Sequence, residues 1–334
     1  MGLVISLAVI IVLFMASLFQ STNPLDQTKY KIAIPRGAST YAVQKILQQK
    51  GILKPVSSFS FAARILSLSR GIQAGDYLFS PSDNLFTILM KLKRGEVVPS
   101  EQVEVTFPEG ASIYRMGEVL KKQGVSDPKK FKGLVKEGIT EPIREKYWHI
   151  FKYIPSESLE GYLYPDTYMF FSSAKAEDLV IRMLDRFDAV VMPYWSKVKK
   201  DTKYNLHEIL TLASIIEKEA ANPAERPIIS SVFHNRLDIK MALDSCATIK
   251  YALDDPTKVV SYEQLNVKSP YNTYRHRGLP PGPICNPGID SIKAAIYPAK
   301  TNYLYFVSKR DGTHVFSSNL KDHNRAKNKY GAAE

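Results

Sequence analysis

The chain begins with an apolar stretch, Gly2 to Phe19, that has no charged residue and consists mainly of Leu, Ile, Val, Ala and Phe. A helix of this length can just span the hydrocarbon core of a bilayer. No Lys or Arg precedes the stretch and no clear site of small residues closes it, so the pattern favours an uncleaved anchor over a signal peptide. We predict an anchor and a polar stalk over residues 1–27. Because Asp26 is the first charged residue, charge does not predict the orientation in the membrane.

A pattern of strand, turn and amphipathic helix then occurs twice. In residues 29–53, the alternation of Ile32 and Ile34 predicts a strand, and Val43, Ile46 and Leu47 form the apolar stripe of a helix. Residues 103–125 repeat this segment, which indicates an internal repeat. The positions Pro35, Gly37, Ala38, Ser39, Tyr41, Leu47 and Gly51 recur as Pro108, Gly110, Ala111, Ser112, Tyr114, Leu120 and Gly124. We predict one module over 28–102 and a second, with linking helices, over 103–205; ligand binding and plain packing both fit such units.

The segment 206–334 has a different pattern. Two helices with a tight joint are predicted over residues 207–237, where Asn222, Pro223 and Glu225 form the N-cap, first position and capping box of the second helix. Glu217 and Glu219 therefore lie at the end of the first helix. A Pro- and Gly-rich loop at 269–288, a short helix at 290–297, a hairpin at 303–317 and a basic helix at 319–330 follow. These patterns together predict an α+β fold, and a loop of that length favours a binding role.

The two acids of this helix end differ in their helical neighbours. Three, four and seven positions before Glu219 stand Ile216, Ile215 and Leu212, whereas Glu217 follows Ser214, Ala213 and Leu210 at the same spacings. Burial in apolar surroundings raises the pKa of a carboxyl, as a general acid at neutral pH requires. Spacing alone nevertheless favours the simpler interpretation that both acids are solvated charges.

The geometry of a helix also bears on the reaction. Hydrolysis of a glycosidic bond normally uses two carboxylates that flank the bond. Glu217 and Glu219 would point about 200° apart around a helix, so they are not expected to act on one bond together. A single acid is sufficient when a hydroxyl of the sugar itself attacks C1, which is a lytic rather than a hydrolytic reaction.

Composition and the absence of certain motifs reduce the number of functional classes that fit the sequence. With 45 Lys and Arg against 33 Asp and Glu, the net charge of +12 favours a polyanionic partner, either nucleic acid, acidic lipid or an acidic wall polymer. A membrane anchor makes nucleic acid the least favoured of these. The sequence has no HExxH, GxSxG or Walker A motif, and its two cysteines lack the neighbours of a zinc site, so we expect neither a metal nor a cofactor.

Several long motifs in order give the chain a resemblance to the MltG or YceG-like endolytic murein transglycosylases. These are EGYLYPDTY at 160–168, LASIIEKEA at 212–220, ERPIISSVFHNRL at 225–237, YNTY at 271–274 with GLPPGPICNPG at 278–288, and PAKTNYLYFV and HVFSSNLKDHN at 298–307 and 314–324. The resemblance implies one inner-membrane span, a LysM-like module, and a periplasmic catalytic domain, here 206–334. It also implies cleavage of nascent glycan between MurNAc and GlcNAc to leave 1,6-anhydroMurNAc, which limits strand length, with cell-wall synthases as possible partners.

The family's catalytic glutamate is the second acid of its Glu-Lys-Glu motif, and that position here is Glu219. We predict that other side chains hold the substrate by stacking and hydrogen bonds, whereas Glu160 and Asp166 brace the cleft rather than contact the substrate. The predicted substrate-binding residues are Glu217, Asn235, Tyr271, Asn272, Thr273, Tyr274 and Asn324.

One segment departs from the family pattern. Where many members read LQSDPTVIYAL, this chain reads LDSCATIKYAL at 243–253, so Cys246 stands at the usual Asp position. Any role of that Asp does not carry over to this chain. Because Cys246 and Cys285 both fall in segments expected near the cleft, we suggest as a hypothesis that they pair. The alternatives to an enzyme are a noncatalytic, membrane-anchored scaffold that binds peptidoglycan and a membrane-tethered nucleic-acid binder.

Overall fold

The computed structural model describes residue 12 and residues 14–55, 57–68, 72–98, 102–254 and 260–331. Most of the predicted anchor, Gly2 to Phe19, lies outside these residues. Within the described ranges, no helix is both long and apolar enough to cross a membrane. The chain divides into two compact units, Met1–Glu101 and Gln102–Glu334.

The first unit contains a small antiparallel sheet covered by helices. Its elements are β1 (Tyr30–Ile34), α1 (Thr40–Gln49), α2 (Phe59–Ile65), β2 (Gly75–Phe79), α3 (Leu85–Arg94) and β3 (Val97–Val98). The sheet order is β1-β2-β3, and Tyr30 pairs with Phe79. Ile32 and Ile34 are both buried, as their alternation predicts, and Ser39 caps α1 by accepting a hydrogen bond from the amide of Ala42. The predicted strand and helix of this copy are therefore confirmed.

The second unit is α+β and is built around a two-stranded sheet and a group of helices. It begins with β4 (Gln102–Thr106), α4 (Ile113–Gln123), α5 (Pro128–Glu137), α6 (Glu141–Lys146), α7 (Trp148–Phe151), β5 (Thr167–Phe171) and α8 (Ala176–Val198). It continues with α9 (Leu206–Glu219), α10 (Arg226–Asp238), α11 (Cys246–Ala252), α12 (Ile289–Ile296), β6 (Tyr305–Ser308), β7 (His314–Ser317) and α13 (Leu320–Tyr330).

A single hydrophobic core runs through this second unit. It includes Val105 of β4, Leu120 of α4, Ile215 of α9 and Ile292 of α12, all almost completely buried. The second copy of the strand and helix motif thus packs on the same core as the helix that carries Glu219. The predicted boundary between residues 205 and 206 falls inside this unit.

The joint between α9 and α10 differs from the predicted capping box. Asn222 caps a short 3-10 turn, Pro223–Glu225, by accepting from the amide of Ala224, and α10 begins only at Arg226. The Glu225 carboxylate does not bond to the backbone amide of Asn222, as a capping box would require. The carboxylate binds the backbone amide of His314 at 3.1 Å and the ring Nδ1 at 2.7 Å. The prediction of a capping box was wrong because a strand distant in sequence supplies better partners for this carboxylate.

Asn286 connects three of the motifs at the centre of the second unit. Its side chain is completely buried, and Oδ1 accepts hydrogen bonds from the amides of Gly161 and Leu163, both at 2.9 Å. Its Nδ2 donates to the carbonyl of Ala111 at 2.9 Å and to Glu160 Oε1 at 3.0 Å. Both donors and both acceptor positions of this amide are therefore used.

We predict that Asn286→Leu lowers the free energy of unfolding by about 4 kcal/mol or more, because each buried partner left unsatisfied costs about 1–3 kcal/mol. Denaturant unfolding followed by circular dichroism would measure the change. Asn324→Leu is the matched control, since Asn324 is exposed on α13 and its replacement should cost under about 0.5 kcal/mol. Equal, small effects of the two substitutions would contradict the role of Asn286.

Candidate active site

An open cleft of about 280 Å³ lies in the second unit, and Glu219 is part of its wall. Four parts of the chain form it: the start of α4, the end of α9, one face of α11 with Asp254 just beyond its C-terminal end, and the loop before α12. The lining residues are Ser112, Tyr114, Lys218, Glu219, Cys246, Ala247, Lys250, Tyr251, Asp254 and Ile284. The second copy of the repeat thus contributes Ser112 and Tyr114 directly to the cleft.

Glu219 is the last residue of α9, as predicted, and its side chain is half-buried. The helix is fixed by its apolar face, since Leu212, Ile215 and Ile216 are completely buried. The hydroxyl of Ser245 donates a hydrogen bond of 2.5 Å to Glu219 Oε1. Hydrogen bonds to a carboxylate are shorter and stronger than those between neutral groups. The carboxyl group is therefore both accessible from the cleft and held in place.

Glu217 has a different environment. Its Oε1 accepts from Arg226 Nη2 at 3.0 Å, and its Oε2 accepts from the amide of Gly288 at 3.1 Å and from the hydroxyl of Ser291 at 2.6 Å. The side chain is only 7% exposed. Glu217 joins α9 to α10 and to the start of α12, whereas Glu219 faces α11. Its predicted contact with substrate stays a prediction, and its present partners are all structural.

The loop 271–274 lies against α11, behind the cleft wall. The ring of Tyr271 packs on that of Tyr251, with centroids 4.9 Å apart. Asn272 is completely buried and donates to the carbonyls of Leu265 and Val267, both at 2.9 Å. Its amide therefore braces the loop itself.

Thr273 and Tyr274 contact the N-terminal end of α11. The hydroxyl of Thr273 accepts from the amide of Ser245 at 3.1 Å, and Tyr274 Oη lies 3.0 Å from Cys246 Sγ. The structure therefore brings this loop to Glu219 indirectly, through Ser245. None of the four loop residues that were predicted to bind substrate, 271–274, lines the cleft.

Asn235 and Asn324 lie elsewhere in the second unit. Asn235 Nδ2 donates to the carbonyls of Thr301 and Tyr303, at 3.0 and 2.8 Å, and so holds the chain that leads into β6. Asn324 is exposed on α13. Neither residue belongs to the cleft wall, and their contacts with substrate remain predictions.

The two cysteines are free thiols, so the suggested pairing of Cys246 with Cys285 was wrong. Cys285 is completely buried, and its thiol donates to the carbonyl of Ser214 at 3.3 Å. Burial raises the pKa of the Cys285 thiol well above its ordinary value, which keeps it protonated. Cys246 contributes to the cleft wall.

Sequence reasoning missed Ser245, the residue that contacts Glu219. A serine directly before a helix is usually an N-cap, and the sequence alone does not distinguish the two roles. Here Ser245 stands at the N-cap of α11, yet its side chain makes no capping hydrogen bond. The sequence therefore pointed to Ser245 only as one residue of the segment 243–253, which departs from the family pattern.

Sequence reasoning also missed Arg236, which braces the loop that carries Ser245. This buried side chain donates from Nε to the carbonyl of Leu304 at 2.6 Å and from Nη1 to the carbonyl of Leu243 at 3.0 Å. It also forms an ion pair of 3.2 Å with Asp244, whose φ of 49° lies in the left-handed region. A strained residue of this kind persists only where its surroundings hold it. The loop before Ser245 is consequently rigid.

Glu160 braces the cleft wall from inside, as predicted. Both of its oxygens accept from the amide of Ile113, at the start of α4, at 3.1 Å. Burial raises the pKa of Glu160 from 4.5 to about 8 because the charged form loses its hydration. Asp166, by contrast, lies at the surface and forms an ion pair of 2.6 Å with Arg186.

The described residues contain no group of three His, Cys, Asp or Glu side chains placed to hold a metal ion. What the cleft offers chemically is the carboxyl group of Glu219, with one oxygen bonded to a buried hydroxyl, a second carboxyl group on Asp254, two lysines, and the tyrosines Tyr114 and Tyr251. A carboxyl in this setting suits proton transfer to and from a bound substrate. Fold and site together define an α+β protein with an acid-containing cleft.

Comparison with known proteins assigns the family. The model of the YceG-like family matches residues 32–329, and the chain belongs to this family. The endolytic murein transglycosylase of Bacillus subtilis (strain 168) is 36% identical over 328 residues, which cover 95% of this chain and 89% of that protein. The protein of the same name from Streptococcus pneumoniae serotype 2 is 30% identical, and the match covers 91% of this chain but 59% of that protein. A crystal structure of a yceG-like protein from Listeria monocytogenes matches with a TM-score of 0.60 and 34% identity, covering 89% of this chain and 98% of that one.

We predict that Glu160 makes the protein less stable as the pH rises. Between its ordinary pKa of 4.5 and about 8, the unfolded chain ionises this carboxyl while the folded protein keeps it protonated, so the free energy of unfolding falls across that window. In Glu160→Gln this contribution is absent, and the decline with pH should be shallower. Urea unfolding from about pH 4.5 to pH 8 would measure both slopes. Parallel declines in wild type and variant would show that Glu160 is not the group responsible.

Proposed function

We propose that this chain is an endolytic murein transglycosylase, which cleaves the bond between MurNAc and GlcNAc within glycan strands, and that Glu219 is its catalytic acid. Two relatives that match most of the chain bear that name. The observation that supports Glu219 most directly is its place in the cleft wall, with Ser245 bonded to one of its oxygens. Glu219 also stands at the position of the second acid in the family's Glu-Lys-Glu motif, which agrees with this assignment.

The proposed reaction uses one carboxyl group twice. Glu219 first gives its proton to the glycosidic oxygen, so that the bond from C1 of MurNAc to this oxygen breaks and GlcNAc leaves with a hydroxyl group. The 6-hydroxyl of the same MurNAc attacks C1, and the Glu219 carboxylate accepts the proton of that hydroxyl. The product ends in 1,6-anhydroMurNAc, Glu219 is again protonated, and no water is consumed.

The surroundings of the two neighbouring acids fit this division of roles. Glu217 forms an ion pair with Arg226 and accepts from two further donors, the amide of Gly288 and the hydroxyl of Ser291, so its charge stabilises the structure. Asp254, which sequence reasoning missed, is the other carboxylate in the described part of the cleft wall. Hydrolysis would require a second carboxylate that activates water or attacks C1, and the nature of the product separates the two reactions.

We predict that Glu219→Gln loses activity on purified murein by about a thousandfold or more, because the amide cannot donate a proton as an acid. Mass spectrometry of the released fragments would count anhydro ends. The amide keeps the shape of the side chain, so binding of murein in a sedimentation assay should persist. A variant that releases anhydro ends at the wild-type rate would contradict the role of Glu219, and binding by the wild type without any cleavage would indicate a scaffold.

Asp254→Asn is the matched control for this experiment. It removes a carboxylate of the same cleft, and the products should still carry anhydro ends. If the wild type instead releases reducing ends and Asp254→Asn abolishes them, the reaction is hydrolytic.

We also propose that residues 1–27 anchor the chain in the inner membrane with its catalytic domain on the wall side, and that 28–102 form a LysM-like module that grips glycan. The uncharged stretch Gly2 to Phe19 and the repeated strand and helix pattern support this arrangement. In such a protein, 103–205 link the module to the catalytic segment 206–334, nascent glycan is the substrate, and wall synthases are partners. Strand elongation would end where the enzyme cuts.

We predict that the full chain sediments with membranes and resists extraction by high salt, whereas a chain that begins at residue 28 is released into the soluble fraction. Burial of the apolar stretch in lipid does not depend on ionic strength, unlike attraction of the basic surface to acidic lipid. Release of the full chain by salt would indicate electrostatic binding and would contradict the anchor.

A further inference from the structure

The contact between Ser245 and Glu219 distinguishes the two oxygens of the carboxyl group. The hydroxyl of Ser245 donates to Oε1 at 2.5 Å. Oε1 can accept this bond both when Glu219 is a carboxylate and when it is an acid protonated on Oε2. In the proposed reaction this bond can therefore persist through both proton transfers, with the proton carried on Oε2.

Ser245 itself is held by the hydroxyls of two buried threonines. Its amide donates to Thr273 Oγ1 at 3.1 Å, and its carbonyl accepts from Thr248 Oγ1 at 2.7 Å. The two threonine oxygens lie 2.9 Å apart. Because Thr248 has given its proton to the carbonyl, Thr273 is the donor in this last bond.

These hydrogen bonds form a closed ring in which each group donates once and accepts once. Ser245, Thr248 and Thr273 are 2%, 0% and 1% exposed, so water does not compete for any of them. Buried polar groups that are fully satisfied rigidify their surroundings. The ring therefore fixes the backbone of Ser245 on both sides of the residue that carries the hydroxyl.

The side chain of Ser245 does not make the capping hydrogen bond that a serine at a helix N-cap usually makes. At the N-cap of α11 its backbone is extended, with φ −93° and ψ 120°, but its side chain does not cap the helix. A capping serine stabilises its helix, so the hydroxyl is directed to Glu219 at the expense of helix stability. A hydroxyl that bonds to Glu219 instead of capping the helix is expected where its role is to hold the Glu219 side chain.

We propose that Ser245, held by Thr248 and Thr273, is the positioning residue of Glu219 and directs Oε2 toward the glycosidic oxygen. The proposal rests on the proposed function of Glu219 as the group that transfers the proton. It gives Thr273 of the loop 271–274 a positioning role, through Ser245, in place of contact with substrate.

The first test is Ser245→Ala in the full-length chain, assayed on purified murein. We expect kcat to fall by about ten- to a hundredfold, the range of one lost hydrogen bond to a charged group, with KM within about twofold of wild type. The pH profile should also move. Donation to a carboxylate favours its charged form, so loss of the donor shifts the limb that reports Glu219 toward higher pH. A purely structural effect would lower the amount of active enzyme without moving this limb.

The second test uses the ring and remains informative if Ser245→Ala folds poorly. Thr273→Val keeps the shape of the side chain but removes the acceptor of the Ser245 amide, and should lower kcat and shift the limb in the same direction. Thr273→Ser restores the hydroxyl and should recover most of the loss. Because Ser245 and Thr273 act through one contact, the double variant should lose less than the product of the two separate losses.

Ser230→Ala is the matched control, because Ser230 is a completely buried serine of α10 whose hydroxyl has no hydrogen-bond partner among the residues that the structure describes. Its kcat and pH profile should equal those of the wild type. Folded Ser245→Ala and Thr273→Val proteins with unchanged kcat and pH profile would overturn the positioning role, while an inactive Glu219→Gln would leave the proposed function standing. An active Glu219→Gln would overturn both.

Discussion

The buried amide of Asn286 is the contact on which the second unit depends. It binds the backbone of Ala111, Gly161 and Leu163 and the carboxyl of Glu160. These partners belong to two motifs that are far from Asn286 in sequence, and the backbone of Asn286 also pairs with Ala111. A buried polar group without partners is costly, so each segment is held only while the other is in place. The wall of the cleft is assembled in this way from the start of α4, the loop before α12 and the support of Glu160.

The end of α9 shows how one helix separates two acids that are two residues apart. Glu217 forms a buried ion pair with Arg226, and loss of one partner from such a pair is strongly destabilising. Glu219 instead faces the cleft and the hydroxyl of Ser245. One carboxylate thus holds α9 against its neighbours, and the other lies in the wall of the cleft. In the proposed reaction Glu219 must be held rigidly, and the residues that would hold it include Arg236 and the ring of Ser245, Thr248 and Thr273.

Local patterns predicted half of the regular elements, those that depend on neighbours within a few residues. The strand and helix of each repeat, the helices α9, α10, α12 and α13, and the hairpin of β6 and β7 all follow from periodicity and turn residues. The pairing of β4 with β5 was not predicted, since Gln102 and Phe171 meet only in the folded chain. The same limit explains Glu225, whose carboxylate follows a capping pattern in sequence but binds His314 in the structure.

By itself, the sequence determined the α+β class and the family, and it predicted Glu219 rather than Glu217 as the catalytic acid, because helical spacing and ordered motifs are properties of the chain alone. Only the tertiary structure decided which residues surround Glu219. The loop 271–274 was predicted to contact substrate, yet Asn272 and Thr273 are buried and bind the protein itself. Ser245 resembles an ordinary N-cap until α9 and α11 are brought together. A side chain's role depends on which partner lies within hydrogen-bond reach, and for these residues that partner is supplied by segments distant in sequence.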